Sequence, residues 1–217
     1  SDGHSFQYNF LIWAADQKTL YRMVDEPALK ESKIRIAVQE KKAFLAEKTG
    51  NDSVLTLYLT VDLDKTYFEK ISNAHFFYTP SRVGLSKAGE APMDGSWEET
   101  TSWMEKFYAL TTYEISIPAL RNATLAPPEK TGLIISTLFD FTLTKHIDDQ
   151  GWTNAFQNHL RTQMIKTLEA SIYPNLSKAV IDSFIATPLT LQNRSGNSEG
   201  AITGWSFNND PIPAESR

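Results

Sequence analysis

Val54-Leu55-Thr56-Leu57-Tyr58-Leu59-Thr60-Val61 alternates without a fault, with Leu55, Leu57, Leu59 and Val61 on one side and Thr56, Tyr58 and Thr60 on the other. Side chains along an extended backbone point to opposite faces with period two, so the run predicts a strand buried on one face. Gly50-Asn51-Asp52 breaks the chain just before it. Tyr113, Ile115 and Ile117 alternate with Glu114 and Ser116 in the same way and end at Pro118. Leu133 to Phe139 is apolar enough for a central strand, His75 to Tyr78 reads as another, and Val180 to Leu191 as the last strand-like segment. Near the start, Phe6, Tyr8 and Phe10 alternate with Gln7 and Asn9 behind the tight-turn pair Asp2-Gly3, which predicts one arm of a hairpin. Leu11 to Ala15 continues it as a more buried strand that ends at Asp16.

Helical periodicity is clearest from about Thr153 to Ile172. Phe156, Leu160, Met164, Leu168 and Ile172 recur every fourth residue there, and Pro174 stops the helix. Asp148-Asp149 reads as the acidic lead into that helix, where a carboxylate complements the helix dipole and caps free N–H groups. Trp97 to Leu110 is a second helix with Met104, Phe107 and Leu110 on its core side; Thr19 to Met23 and Lys65 to Ile71 are short ones. Residues 33–48 fit two readings, since Ile34, Ile36 and Val38 alternate like a strand while Ala43, Phe44 and the lysines favour a helix. Arg82 to Ser96 is loop, and Ala126-Pro127-Pro128-Glu129-Lys130 a turn. Strands joined through hairpins and mixed with separate helices define an α+β domain around a mostly antiparallel or mixed sheet, with helices packed on one side. No repeat or linker divides the 217 residues, so residues 1–217 are read as one domain.

Composition narrows the function. Net charge is −5, which argues against a nucleic-acid partner. With no cysteine, thiolate catalysis, disulfides and cysteine-ligated metal are excluded. His4, His75, His146 and His159 are scattered without metal-ligand spacing, and the reading assigns no metal. No G-x-S-x-G, P-loop or G-x-G-x-x-G is present, so neither that hydrolase chemistry nor a phosphate cradle announces itself. The N-x-S/T triplets at Asn51, Asn122, Asn175 and Asn193 read as polar turns. No signal peptide and no span of ~20 apolar residues is visible, so the reading is cytoplasmic with room for peripheral membrane contact. The 12 Phe, 8 Tyr and 5 Trp exceed what a core alone asks for and suit a pocket for a large apolar ligand.

The densest glycine signal lies late in the chain. Thr187-Pro188-Leu189-Thr190 runs into Ser195-Gly196-Asn197-Ser198-Glu199-Gly200-Ala201-Ile202-Thr203-Gly204-Trp205, a polar loop with three glycines behind a strand-like run. Glycine at this density serves positive φ or close approach of backbone to another group, and the loop reads as a contact surface.

Three blocks together resemble phytoene desaturase-like flavoproteins, the family of carotenoid desaturases, carotenoid isomerases and retinol saturase-like reductases. Phe10-Leu11-Ile12-Trp13-Ala14-Ala15-Asp16 is similar to the strand that leads from their FAD domain into their substrate domain. Tyr113-Glu114-Ile115-Ser116-Ile117-Pro118 with Leu125-Ala126-Pro127-Pro128 resembles their S-x-P … D-x-x-L-A-P-P-G segment, with Asn122 where Asp is usual and Glu129 in place of the glycine. Thr187-Pro188-Leu189-Thr190 with Gly196 to Trp205 resembles T-P-x-T … G-N-x-E-G-A-I-x-G-W. In this order the blocks span most of the chain.

The resemblance implies an FAD-dependent oxidoreductase acting on an apolar substrate of the polyene or isoprenoid kind. Within it, this chain is the substrate-binding domain, inactive by itself, with residues 1–16 as the lead-in strand and residues 187–217 as the glycine-rich loop returning to the absent FAD domain. FAD is the implied cofactor, with Gly196, Asn197, Glu199, Gly200, Ala201, Gly204 and Trp205 at the flavin boundary. Thr187, Pro188 and Trp205 would touch substrate, and Glu199 is the candidate proton donor. The glycines would let backbone approach the flavin ring, so Gly200→Val should abolish activity while sparing the fold. Two other classes share the aromatic surface: a stand-alone lipid- or isoprenoid-binding module without redox activity, and a structural domain whose glycine loop is only an interdomain contact.

Overall fold

The computed structural model describes residues 3–207. Asp16 opens the first helix, α1 (Gln17–Met23), by accepting the Thr19 N–H on its carboxylate, and α2 (Ser32–Ala46) packs against it. Strand β1 (Ser53–Val61), helix α3 (Lys65–Glu69) and strand β2 (His75–Tyr78) follow. Helix α4 (Trp97–Leu110) leads into β3 (Tyr113–Ser116) and then β4 (Thr131–Phe139). Helices α5 (Phe141–Asp149), α6 (Thr153–Glu169) and α7 (Leu176–Ala179) precede β5 (Val180–Ala186) and α8 (Pro188–Ser195). The five strands form one antiparallel sheet in the order β2-β3-β4-β1-β5, so the chain is an α+β domain. Among the described residues no helix is long and apolar enough to cross a membrane.

The alternation in β1 decides which face is closed. Leu55, Leu57 and Leu59 sit opposite Thr137, Ile135 and Leu133 of β4, all on the face that α4 and α6 cover. Met104, Phe107 and Tyr108 of α4 and Phe156, Leu160, Met164 and Leu168 of α6 complete that core. Each such side chain removed from water is worth about 1.5–3 kcal/mol. Phe139 joins the layers, with its ring edge-on to Phe107 at 5.4 Å and tilted against Phe156 at 5.7 Å. Tyr113 is buried with its hydroxyl donating to the Tyr108 carbonyl at 2.6 Å, and burial pushes both phenols above their ordinary pKa.

Several expectations are corrected. Residues 6–15 carry strand alternation but form no strand: Phe10 and Ile12 are 91% and 92% exposed, and no ladder partner lies beside them. Period two describes what a strand would look like, whereas pairing needs a neighbour; Asp2 of the expected turn lies outside the described residues. Residues 32–46 are helical, because the run has good helix formers and no partner strand for Ile34 and Ile36, which stay exposed. The segment from Val180 does not run as strand to Leu191. It ends at Ala186, where the Thr187 side chain accepts the Thr190 N–H and Pro188 occupies the first turn of α8. Asp148 and Asp149 close α5 instead of opening α6: Asp149 pairs with Lys145 one turn back, and Asp148 accepts the Thr153 hydroxyl at 2.6 Å. The Leu133 to Phe139 run ends as β4, and the Asp140 carboxylate that follows caps α5 by accepting the Leu143 N–H.

Candidate functional site

The glycine loop follows α8, whose C-terminus closes at Gly196 with φ +75. From there three separate stretches of chain are stitched together. Ser198 donates its N–H to Asp16 Oδ2 at 2.9 Å, and the Thr19 hydroxyl donates to the Gly196 carbonyl at 2.7 Å. The Ser53 hydroxyl, at the head of β1, donates to the Gly200 carbonyl at 2.7 Å. Ile202 N–H donates to Asp52 O, Asn51 N–H to Gly204 O and Ser206 N–H to Thr49 O, at 3.0, 2.8 and 2.9 Å. Trp205 bridges Gly50, and Lys18 Nζ lies 5.8 Å from its ring centre. Partial burial alone would raise the Asp16 carboxyl, but the amides of Ser198 and Thr19 outweigh it and hold the group below its ordinary pKa.

The glycines serve this internal stitching. A Cβ on Gly200 would fall well inside the carbonyl oxygen of Pro188, and one on Gly50 well inside that of Ser198. Gly200→Val would therefore disturb the fold, which corrects the expectation that it would spare it. Gly204 alone in the loop, at φ +89, has no heavy atom within 4 Å of a would-be Cβ. Glu199 takes the left-handed conformation too, at φ 58 and ψ 24, with its N–H held by Gln192 Oε1 at 3.0 Å. A side chain held in that region costs about 1–3 kcal/mol and persists only where its surroundings fix it.

Two hollows flank the loop. A cavity of about 320 Å³ lies between Ala14, Ala15 and Asp16 on one side and Asn197, Ala201, Gly204 and Trp205 on the other. Across Glu199 a groove of about 840 Å³ runs between Gly50–Ser53, the turn at Leu85–Gly89, and the wall of Trp103, Phe107, Leu138 and Phe141. Trp103 is fixed by stacking on Phe107 at 5.0 Å and by its indole N–H donating to the Gly89 carbonyl at 3.1 Å. Glu199, Asp52 and Asp140 give the groove its acid groups, although the Asp140 carboxylate is engaged by α5.

The sheet face away from α4 and α6 starts at this same loop. Along β1, running away from Ser53, it presents Val54, Thr56, Tyr58 and Thr60. Beside them lie Ile134, Ser136 and Leu138 of β4 and Phe184 of β5. The Tyr58 and Phe184 rings stack at 4.2 Å within 7° of parallel. Phe184, Leu138 and Phe77 are 56%, 54% and 68% exposed, while Tyr58 and Ile134 are half-buried and Thr56 is buried, so the face carries exposed apolar side chains among polar ones.

Of the residues singled out in the sequence, Gly196, Asn197, Glu199, Gly200, Ala201, Gly204 and Trp205 come together in one body. Asn197 binds the loop to itself, donating from Nδ2 to the Ala201 carbonyl at 2.9 Å. Thr187 and Pro188 are buried as cap and first turn of α8, away from both hollows beside the loop. The Asn122 side chain accepts the Thr124 N–H and hydroxyl, as an aspartate there would. Glu129 has φ 63, the conformation that a glycine takes freely. Tyr58 was visible as the aromatic member on the polar side of β1. Its partner Phe184, the anchor Ser53 and the tether Gln192 depend on register and long-range contact that no local pattern carries.

Gly204, Ala201 and Trp205 line the smaller cavity, and Gly204 has open space where a side chain would stand, although Ala201 is buried. The described residues contain no strand–glycine turn–helix unit to hold a pyrophosphate. No family model matches the chain, and no curated protein matches it.

Proposed function

We propose that this chain is the substrate-binding domain of an FAD-dependent oxidoreductase, acting on an apolar polyene or isoprenoid and inactive without the dinucleotide-binding domain of the same polypeptide. The observation that carries the reading is the partly exposed apolar patch of Tyr58, Ile134, Leu138 and Phe184 on the sheet face that begins at the stitched glycine loop. Exposed aromatic and aliphatic side chains clustered on the open face of a sheet suit an apolar ligand or a covering domain. Two further features support it. The segment entering through Asp16 and the one leaving through Trp205 lie side by side on that loop, as they must when one domain is inserted into another. Glu129 stands in the left-handed conformation at the position where the resembled motif carries glycine.

In this reading the flavin supplies hydride acceptance or donation. The chain's own residues do the rest: the sheet face holds the apolar substrate, the aromatic wall excludes water, and Gly204, Ala201 and Trp205 form the boundary to the ring. Glu199, which lines the larger groove together with Asp52, is the candidate proton donor there.

Reading the coding frame outward from Ser1 and Arg217, and purifying the polypeptide it encodes, tests this. A strand–G-x-G-x-x-G–helix unit and a co-purifying flavin are expected. A protein of these residues alone that binds an apolar probe without flavin would overturn the proposal in favour of the stand-alone binding module.

A further inference from the structure

A third hollow, of about 490 Å³, lies between α1, α8 and the glycine loop, and its lining is polar throughout. Its charge is opposite to that of the larger groove. Among the described residues the groove is lined by Glu199, Asp52 and Asp140 and by no basic side chain. Here Lys18 and Arg22 stand one turn apart on α1, and Glu199 is the single acid.

Neither cation is neutralised. Among the described residues Lys18 and Arg22 enter no ion pair. Lys18 Nζ donates to the Ala46 carbonyl at 3.2 Å and lies 5.8 Å from the Trp205 ring centre. Arg22 Nη2 donates to the Thr19 hydroxyl at 3.3 Å, which leaves most of its N–H groups unused. Across the hollow, Gln192 Oε1 accepts the Glu199 N–H, so the Gln192 NH₂ is the end left to donate. Asn193 brings a second side-chain amide. The groups that would repel an anion are occupied. Asp16 accepts the Thr19 and Ser198 amides, and at the end of α8 the Gln192 carbonyl accepts from Gly196 and the Gly196 carbonyl from Thr19.

The chain as a whole carries net charge −5, so its overall field does not draw an anion to this place. The attraction is local, and the donors define its object. A guanidinium fork matches two oxygens of a phosphate, and an ammonium adds a point charge. Donors on opposing walls suit a tetrahedral group, whose oxygens point several ways, better than a planar carboxylate. We infer that this hollow binds a phosphoryl group, held by Lys18 and Arg22 of α1 and by the side-chain amides of Gln192 and Asn193 of α8. The inference stands apart from the proposed function, because it concerns a different hollow and a different chemistry from the apolar patch. Two sources share that chemistry: the diphosphate of a flavin nucleotide, and a free phosphate ester.

The test is calorimetric titration of inorganic pyrophosphate into the full-length protein, before and after removal of any bound flavin. Saturable binding is expected, and Lys18→Met and Arg22→Ala should each weaken it about tenfold or more, the worth of one hydrogen bond to a charged group. Glu199→Gln removes the like charge on the rim and should tighten it. Arg22 is exposed, so its variant keeps the test decisive if a change at half-buried Lys18 disturbs the fold. Cation-dependent binding that appears only after flavin removal upholds the site and makes the flavin its occupant. The same binding before removal upholds the site and makes the occupant a free phosphate ester. Absence of binding in both states, or binding that both variants retain, overturns the inference. The two cations would then serve only to complement the C-terminal end of α8.

Discussion

Gly200→Ala probes the seam where the glycine loop meets the sheet. Gly200 is buried at φ +62, and an alanine there carries the left-handed cost of about 1–2 kcal/mol. Its Cβ would also lie inside the Pro188 carbonyl oxygen and 3.0 Å from Ser53 Oγ. Neither atom is the end of a flexible chain, since one is backbone in the first turn of α8 and the other is bonded to the Gly200 carbonyl at 2.7 Å. Overpacking of this kind costs about 1–3 kcal/mol, and displacing the Ser53 bond about 1 kcal/mol more. The expected loss is about 3–6 kcal/mol, a large part of the 5–15 kcal/mol that holds a typical domain together. Gly204→Ala is the control: φ is +89, no atom lies within 4 Å of its Cβ, and about 1–2 kcal/mol is expected from backbone strain alone. Urea unfolding followed by tryptophan fluorescence measures both on the same scale. If Gly200→Ala loses no more than Gly204→Ala, the close approach of loop and helix is not what the glycine is for, and the argument fails.

Two further perturbations address single residues. Asp16→Asn should destabilise the chain at neutral pH, and that difference should fade in acid. The carboxyl is held below its ordinary pKa by two amides, so its contribution is complete above the unfolded value of about 3.9 and lost as pH falls through the lower folded value. Melting temperatures of both proteins across that range check it, and a difference independent of pH would refute the role of the charge. Glu129→Gly should raise stability by up to about 1 kcal/mol, because glycine accepts φ 63 without strain. A shift of the urea midpoint in the destabilising direction, as at an ordinary surface site, would show that Glu129 bears no backbone cost.

The strands β1 and β3, the helices α4 and α6 and the α+β class were legible because each rests on a repeat within a few residues, and β4 because of its continuous apolar run. Leu55 to Val61 or Phe156 to Leu168 must bury one side whatever else the chain does. The sequence also marked Gly196 to Trp205 as a place of tight backbone, and the alternation in β1 put Tyr58 on the face that stays open. It misjudged Phe6 to Ala15 and left residues 33–48 open between strand and helix, because alternation states what a strand would bury and is silent on whether a neighbour exists to pair with it. It also ran β5 through Thr187 and Pro188, where a cap and a first-turn proline start a helix. What the glycines touch, which strand faces Tyr58, and the hollow that sets Lys18 and Arg22 across from Gln192 and Asn193 were decided only by the tertiary structure. Those relations join residues far apart in sequence, through register and close contact, and nothing in the local run of residues encodes the distance between them.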